Sequence, residues 1–151
     1  MKWIALAVQT LILLMLLGLA TLPFLNAQSI LVKVVPLDPW DPYRGEYVRL
    51  SYPFSRLPDW NPQNGETVYV RLQPDSKGIY QAAEFLNQPP EGGVYLKGRV
   101  QWGQILYGIE SFYVQKGMAR RYENAAAQGS LYAVLQVNSS GTPRLQRLRV
   151  D

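Results

Sequence analysis

Few residues of this 151-residue chain have the types and spacing that catalysis requires. The sequence contains neither histidine nor cysteine. A Ser-His-Asp triad, a thiolate nucleophile, an iron–sulfur cluster and most zinc sites are excluded, because each depends on imidazole or thiolate groups. Any catalysis would have to use Asp, Glu, Lys, Tyr or Ser alone. We predict no catalytic residue, no cofactor and no metal site.

Serine and lysine offer one route to hydrolysis, the Ser-Lys pair that membrane-bound signal peptidases use. The serines that could serve are Ser51, Ser55 and Ser111, and the lysines are Lys97 and Lys116. None of them stands in a recognisable nucleophile motif. The comparison rests on outline alone, an apolar segment followed by a small domain. A Ser-Lys hydrolase is therefore the alternative hypothesis.

A proline-rich segment carries the other candidate side chains. Pro36-Leu-Asp-Pro-Trp-Asp-Pro-Tyr-Arg-Gly45 has three prolines within seven residues, which forbids a helix and predicts a stiff loop. A stiff loop presents its side chains at low entropic cost. We therefore predict an interaction surface formed by Asp38, Trp40, Asp41 and Arg44. Its aspartates could bind Ca²⁺, but the segment lacks the ligand density of known calcium loops.

The elements that must position these residues are mostly strands. Short runs rich in β-branched and aromatic residues alternate with Gly, Pro and Asn turn signals such as Asn64-Gly65. The runs are residues 30–35, 47–52, 67–72, 79–85, 94–102, 104–114, 131–137 and 144–150. Seven or eight strands at this spacing predict a mainly β fold, an antiparallel barrel or sandwich.

One segment departs from the strand pattern. Residues 118–128 are rich in alanine, lack β-branched residues and end before Gly129, which is typical of a helix. Met118, Tyr122 and Ala125 recur at helical spacing and are expected to face the sheet. We predict one short α-helix here, covering one end of the β domain.

The N-terminal segment predicts a membrane anchor. Residues 3–25 are 23 residues without charge, enough to cross a hydrocarbon core of about 30 Å. A cleaved signal peptide is the competing interpretation, but Leu25-Asn26-Ala27 is a poor cleavage site. We predict a retained single-pass anchor over residues 1–26 and an extracytoplasmic β domain over residues 27–151, with the N-terminus in the cytoplasm.

Partners follow from this topology. Membrane lipid would be contacted through residues 3–25, and an integral membrane protein is a further expected partner. The residues after position 26 carry fourteen basic and eleven acidic side chains, a mild net charge of about +3. Nucleic-acid binders concentrate more charge than this, and export removes the ligand, so no nucleic acid is expected.

One stretch carries a family resemblance. Gly45-Glu46-Tyr47-Val48-Arg49-Leu50-Ser51-Tyr52 resembles the signature of the GDYXXLXY family, membrane-anchored bacterial proteins without an established activity. Residues 38–44 and 107–114 also look like family stretches. The resemblance implies an architecture over most of the exported domain. Its motif residues, of unknown role, are Gly45, Glu46, Tyr47, Leu50 and Tyr52.

Strand alternation gives the motif a physical interpretation. Side chains of a strand point to opposite faces in turn, so Val48, Leu50 and Tyr52 are expected to face the core. Glu46 shares that face at the strand entrance and stands where the family has Asp. It either pins the proline-rich loop by hydrogen bonds, or joins that loop's charged residues in the rim of a site.

Two functions are compatible with these residues. The first is a membrane-anchored binding or accessory module that assists a membrane or envelope protein. The alternative is a membrane-bound hydrolase of the Ser-Lys or paired-carboxylate type, the second using Glu46 with an Asp residue. Trp40 and Trp60 lie in proline-flanked loops and are either exposed contacts for a partner or hydrophobic plugs. The missing catalytic groups favour the module.

Overall fold

The computed structural model describes residues 2–35, 47–115 and 117–151. Helix α1 (Lys2–Thr21) continues into a 3₁₀ turn at Leu22–Phe24. The stretch Lys2–Phe24 is long and apolar enough to cross a membrane, and its apolar window is not buried against the rest of the chain. The expectation of a long apolar N-terminal helix is confirmed.

Nine strands and a second helix follow among the described residues. They are β1 (Gln28–Lys33), β2 (Tyr47–Arg49), β3 (Thr67–Pro74), β4 (Ile79–Leu86), β5 (Val94–Gln101), β6 (Gln104–Leu106), β7 (Ser111–Tyr113), α2 (Ala119–Ala127), β8 (Leu131–Val137) and β9 (Pro143–Val150). The predicted mainly β fold with one short α-helix is confirmed. The helix lies within one residue of its predicted bounds at each end.

Seven of the strands form one sheet in the order β6-β5-β3-β4-β1-β8-β9, which curls into a half-barrel. β2 and β7 pair separately as a two-stranded sheet. Neighbouring described strands are antiparallel except β1 and β4, which run parallel. A parallel pair needs a long crossover, and here that crossover passes through β2 and β3.

Alternate side chains of the strands build the core inside the curl. Every second residue of β8 is buried, and β3 shows the same pattern over its first six residues. β-branched and leucine side chains suit this position because they fill a pleated face without polar atoms. Helix α2 adds Ala125 and Ala126, with Tyr122 packed against the same core. The predicted face of the helix is confirmed for Tyr122 and Ala125.

The predicted strand over residues 104–114 is wrong as one element. It divides into β6 and β7, which belong to different sheets. The chain turns between them at Tyr107–Glu110, where Gly108 has a φ of +81°. The Glu110 carboxylate accepts hydrogen bonds from the backbone N–H of Tyr107 (2.6 Å) and of Gly108 (2.9 Å). These bonds satisfy amides that a continuous strand would have paired elsewhere.

Candidate functional site

Six of the eight signature residues, 47–52, are described, and three of them lie in the core. Val48, Leu50 and Tyr52 are buried, with Tyr52 only 1 % exposed. The backbone of Tyr47 pairs with Tyr113 in the β2–β7 sheet. Regular strand geometry ends at Arg49, three residues earlier than predicted. The alternation that predicted inward-facing Val48, Leu50 and Tyr52 is confirmed.

Tyr52 belongs to a buried aromatic cluster. Its ring stacks on Phe54 at 5.3 Å and 8°, and Phe54 meets the Tyr107 ring edge-on at 5.4 Å and 79°. The Tyr52 hydroxyl donates to the Ile109 carbonyl at 2.9 Å, and the Tyr107 hydroxyl donates to the Phe54 carbonyl at 2.6 Å. The cluster therefore ties the segment after β2 to the turn between β6 and β7.

Two neighbours hold the Tyr107 ring in place. The Glu110 carboxylate stabilises the turn by accepting hydrogen bonds from the backbone N–H groups of Tyr107 and Gly108. The backbone carbonyl of Glu110 accepts a hydrogen bond from the Leu50 N–H at 2.8 Å. Gly98 of β5 leaves the space for the ring, because a Cβ there would meet Ile105 and come within 2.8 Å of Tyr107. The turn, the signature strand and β5 therefore fit together around one tyrosine.

The two phenols are chemically inert in this setting. Burial raises the pKa of Tyr52 and of Tyr107 well above the ordinary value of 10, and the nearby Glu110 charge raises both further. Both groups stay neutral, and both hydroxyl protons are committed to backbone carbonyls. A nucleophile or proton relay needs the opposite, a lowered pKa or a free lone pair facing substrate. In this structure the Tyr52 and Tyr107 side chains therefore contribute packing and one hydrogen bond each to the core.

The remaining predicted site residues lie outside the part of the chain that the structure describes. They are Asp38, Trp40, Asp41, Arg44, Gly45 and Glu46. The predictions made for them, a charged rim or a pinned loop, stay predictions.

An open cleft lies beside β4 and was not predicted from the sequence. Its volume is about 600 Å³, and its lining includes Lys33, Arg56 and Lys77 with the rings of Tyr80, Phe85 and Tyr132. The four consecutive residues 81–84 of β4 are all exposed, so the inner and outer faces of this strand are both uncovered. The sequence signal was the run Gln-Ala-Ala-Glu, which lacks the large alternate side chains of a packed strand.

An exposed tryptophan occupies the end of β5 that is farther from α1. Val94, at the start of β5, lines a small hollow with Asn26 and Gln28, close to the end of α1. From there β5 extends about 23 Å to a turn at Trp102, which is 85 % exposed. We call this end, with Trp102, the distal tip. Trp60, in a separate loop, is 46 % exposed.

Trp102 has an unusual backbone for its type. Its φ is +49°, a left-handed conformation that bulky residues rarely adopt. Its N–H donates to the Asn64 side-chain oxygen at 3.3 Å, which supports the turn. The prediction had placed this residue within a strand, but β5 ends at Gln101. A strained turn that presents a large apolar ring to solvent is a feature of contact sites.

The family model described as GDYXXLXY protein matches residues 9–148, nearly the whole chain. The chain belongs to the GDYXXLXY family. No curated protein and no solved structure matches it significantly. The match begins within α1 and extends into β9, so it covers part of the apolar helix and nearly all of the β domain of this chain.

The catalytic alternative gains no support in this GDYXXLXY protein. Ser55 is buried, and its hydroxyl has no hydrogen-bond partner, so no lysine of the described residues activates it. Within residues 2–35, 47–115 and 117–151, no serine hydroxyl bonds to a lysine amine. Lys116 lies outside them.

Acidic side chains offer no metal centre in the same part of the chain. Among the described residues, no three carboxylates lie close enough to hold a metal ion together. Glu110 and Asp75 instead accept hydrogen bonds from backbone amides of their own turns. Their oxygens serve local structure, as carboxylates in Asx-type turns commonly do.

Proposed function

We propose that this GDYXXLXY protein is a membrane-anchored accessory module whose β domain stands outside the cytoplasm and binds another protein of the membrane or envelope. Helix α1 is the observation that carries the proposal. In water, an apolar helix of this length that packs against nothing would expose a large hydrophobic surface, which soluble monomers avoid. A bilayer removes that cost.

The orientation follows from charge near the helix. Lys2 is the only charged residue before the apolar stretch, and a positive N-terminal flank favours the cytoplasmic side. The β domain then lies on the other side of the membrane.

The binding role is supported by the surface that the domain presents. Val48, Leu50 and Tyr52 of the signature are buried in the core, whereas Trp102 is exposed at the end of β5 that is farther from α1. Tryptophan is enriched at the centres of protein interfaces, because it buries a large area at low entropic cost. The distal tip is therefore our candidate contact with the partner.

Topology is tested in spheroplasts that express the full chain with a tag at each end. We expect added protease to degrade the β domain while the N-terminal tag stays protected and bound to the membrane. A mature chain that begins near Gln28, or a β domain that protease never reaches, overturns the proposal.

The contact is tested with a photo-crosslinking amino acid in place of Trp102. A matched control carries it at Glu91, which is exposed in the loop before β5, at the end near α1. We expect a discrete adduct with a membrane or envelope protein from position 102 and a different pattern from position 91. Identical patterns, or no adduct at position 102, contradict a contact at the distal tip.

A further inference from the structure

We propose that the cleft beside β4 binds an extended acidic segment of a partner protein, which adds to the open edge of β4 as a further strand. The inference rests on the proposed accessory function, since it names the kind of partner that the module takes. It concerns the cleft and is independent of the distal tip.

The cleft exists because two neighbouring strands separate. β1 and β4 pair at two positions, Leu31 with Ile79 and Val32 with Tyr80. β4 then continues for six residues and stays paired with β3 on its other side as far as Leu86, with one irregularity where Leu72 pairs with Ala82 and Arg71 with Glu84. Among the described residues, no backbone group bonds to β4 on the cleft side over residues 81–86. An open strand edge of this kind is a template for another strand.

The length of the open edge suits a peptide. Six residues extend about 20 Å, which is the usual length of a strand. Side chains of an added strand would alternate between solvent and the cleft. On the cleft side they would meet Tyr80 and Phe85, both of which are half-buried against the core. Because these rings are already held in place, apolar contact with them would not carry the entropic cost of ordering them.

Charge selects the type of peptide. Lys33, Arg56 and Lys77 line the cleft, and none of them forms an ion pair with a described residue. Asp75 is the one carboxylate in the lining, and its oxygens already accept the N–H groups of Lys77 and Ile79. The lining therefore holds three cations against one carboxylate, a net charge of +2, and this charge complements Asp and Glu on the partner.

A small anion would use only part of this arrangement. Phosphate or a lipid headgroup could approach the three cations but would leave the β4 edge and the aromatic rings without a partner. An extended acidic segment satisfies the cations, the rings and the backbone edge together, which is why we assign the cleft to a peptide.

The test uses the full chain in lipid nanodiscs and a fluorescent eight-residue peptide in which glutamate alternates with valine. We expect saturable binding and slowed hydrogen exchange at amides of residues 81–86, because new ladder bonds would protect them. The same peptide with N-methylated amides should not bind, since it cannot form the ladder. Equal binding of the methylated peptide, or no binding of the first, overturns the proposal.

Charge variants complete the test. We expect Lys33→Gln with Arg56→Gln to weaken binding about tenfold, because both cations face the cleft. The matched control is Arg120→Gln with Arg121→Gln, which removes the same charge from exposed positions of α2 outside the cleft. Equal loss in both double variants would reveal non-specific attraction and reject the site. Displacement by millimolar phosphate alone would assign the cations to a small anion instead.

Failure of this inference and failure of the proposed function are distinguishable. Peptide binding to a chain whose β domain proves cytoplasmic rejects the accessory function and retains the cleft. An anchored, exported domain that binds no acidic peptide rejects the cleft and retains the module.

Discussion

Tyr52 and Tyr107 each combine packing in the core with one buried hydrogen bond. Each phenol is buried, and each donates its proton to a carbonyl more than fifty residues away in the chain. A phenylalanine would fill the same space but leave that carbonyl without a partner. A tyrosine meets both requirements of each site, because it supplies an aromatic ring for the core and one hydroxyl donor for the carbonyl.

The first prediction is that Tyr52→Phe destabilises the full chain by about 1 to 3 kcal/mol at neutral pH, because the buried Ile109 carbonyl loses its donor. Chemical denaturation in detergent micelles measures the free energy of unfolding. Tyr95→Phe is the matched control, since the bond from its hydroxyl to the Ser139 carbonyl is exposed to water. Equal losses in the two variants contradict the assigned role of Tyr52.

The same tyrosines predict an alkaline sensitivity. Their folded pKa values lie above the ordinary value of 10, so the unfolded chain loses its phenolic protons first. The stability that they contribute is fully present below about pH 10 and is lost as pH rises beyond it. In Tyr52→Phe with Tyr107→Phe, we expect a smaller fall in stability between about pH 9 and 11. A fall as steep as that of the wild type would exclude these groups as its cause.

Among the elements, β-strands with a covered inner face were predictable. β3 and β8 alternate because one face meets the core and the other meets solvent, and their sequences carry that period. β4 carries no such period, since its inner face opens to the cleft. The cleft itself depends on which distant strands pair and where they part, and periodicity within a strand contains no information on that.

Turns inside apolar runs were the harder elements to predict. Residues 104–114 look like one strand, because the turn signal within them is reduced to Gly108 and Glu110. The structure uses a positive φ at the glycine and amide bonds to the carboxylate, and these overrule the strand preference of their neighbours. Trp102 was placed in a strand for the same reason, since its aromatic ring favours strands and its left-handed backbone is not visible in sequence.

The stability contributed by the turn between β3 and β4 is expected to depend on pH. The Ile79 N–H bond to Asp75 is the main cause that lowers the pKa of this carboxyl below its ordinary 3.8. Desolvation opposes it as the second-largest effect, and the Lys77 amide, the Gln81 side chain and the Lys77 charge then lower the pKa further. A lowered folded pKa gives stability that is present above the unfolded value and lost as pH falls through the folded one.

We therefore expect wild-type stability to fall as pH drops below about 4, and Asp75→Asn to lack that part of the fall, because asparagine keeps an acceptor but never titrates. Denaturation curves between neutral and acid pH measure it. Asp59→Asn changes an exposed aspartate elsewhere and should follow the wild type. If Asp75→Asn also follows the wild type in acid, the turn does not contribute.

At the scale of the whole molecule, the chain divides into an apolar helix and a charged β domain. α1 contains no acid and no basic residue after Lys2, whereas the described part of the β domain carries its charged residues at positions that are not buried. Length and composition alone predicted this division, because the chemistry of a bilayer sets both limits. The positions of the cleft and of the distal tip depend on the sheet and required the structure.

Proposed anchoring makes the middle of α1 sensitive to charge. We expect Leu14→Arg to move a large part of the chain out of the membrane fraction, since a central arginine costs about 3 kcal/mol on insertion. Extraction of membranes at high pH measures the bound fraction. Leu14→Ala, which keeps the helix and the absence of charge, should remain bound. An arginine variant that resists extraction as the wild type does contradicts anchoring by this helix.

Only three residues, 25–27, separate the 3₁₀ turn at the end of α1 from β1, and hydrogen bonds fix this joint. Backbone bonds run from Leu25 to Leu22 and from Ala27 to Phe24, and the Arg144 guanidinium lies 4.4 Å from the Phe24 ring centre. Under the proposed anchoring, so short a connection would keep the β domain at a nearly constant distance from the membrane surface, with its far end within about 30 Å of the headgroups. Encounters would then be confined to a thin layer along the bilayer, where lateral diffusion brings partners together. Even a weak dissociation constant measured in free solution would correspond to substantial occupancy there.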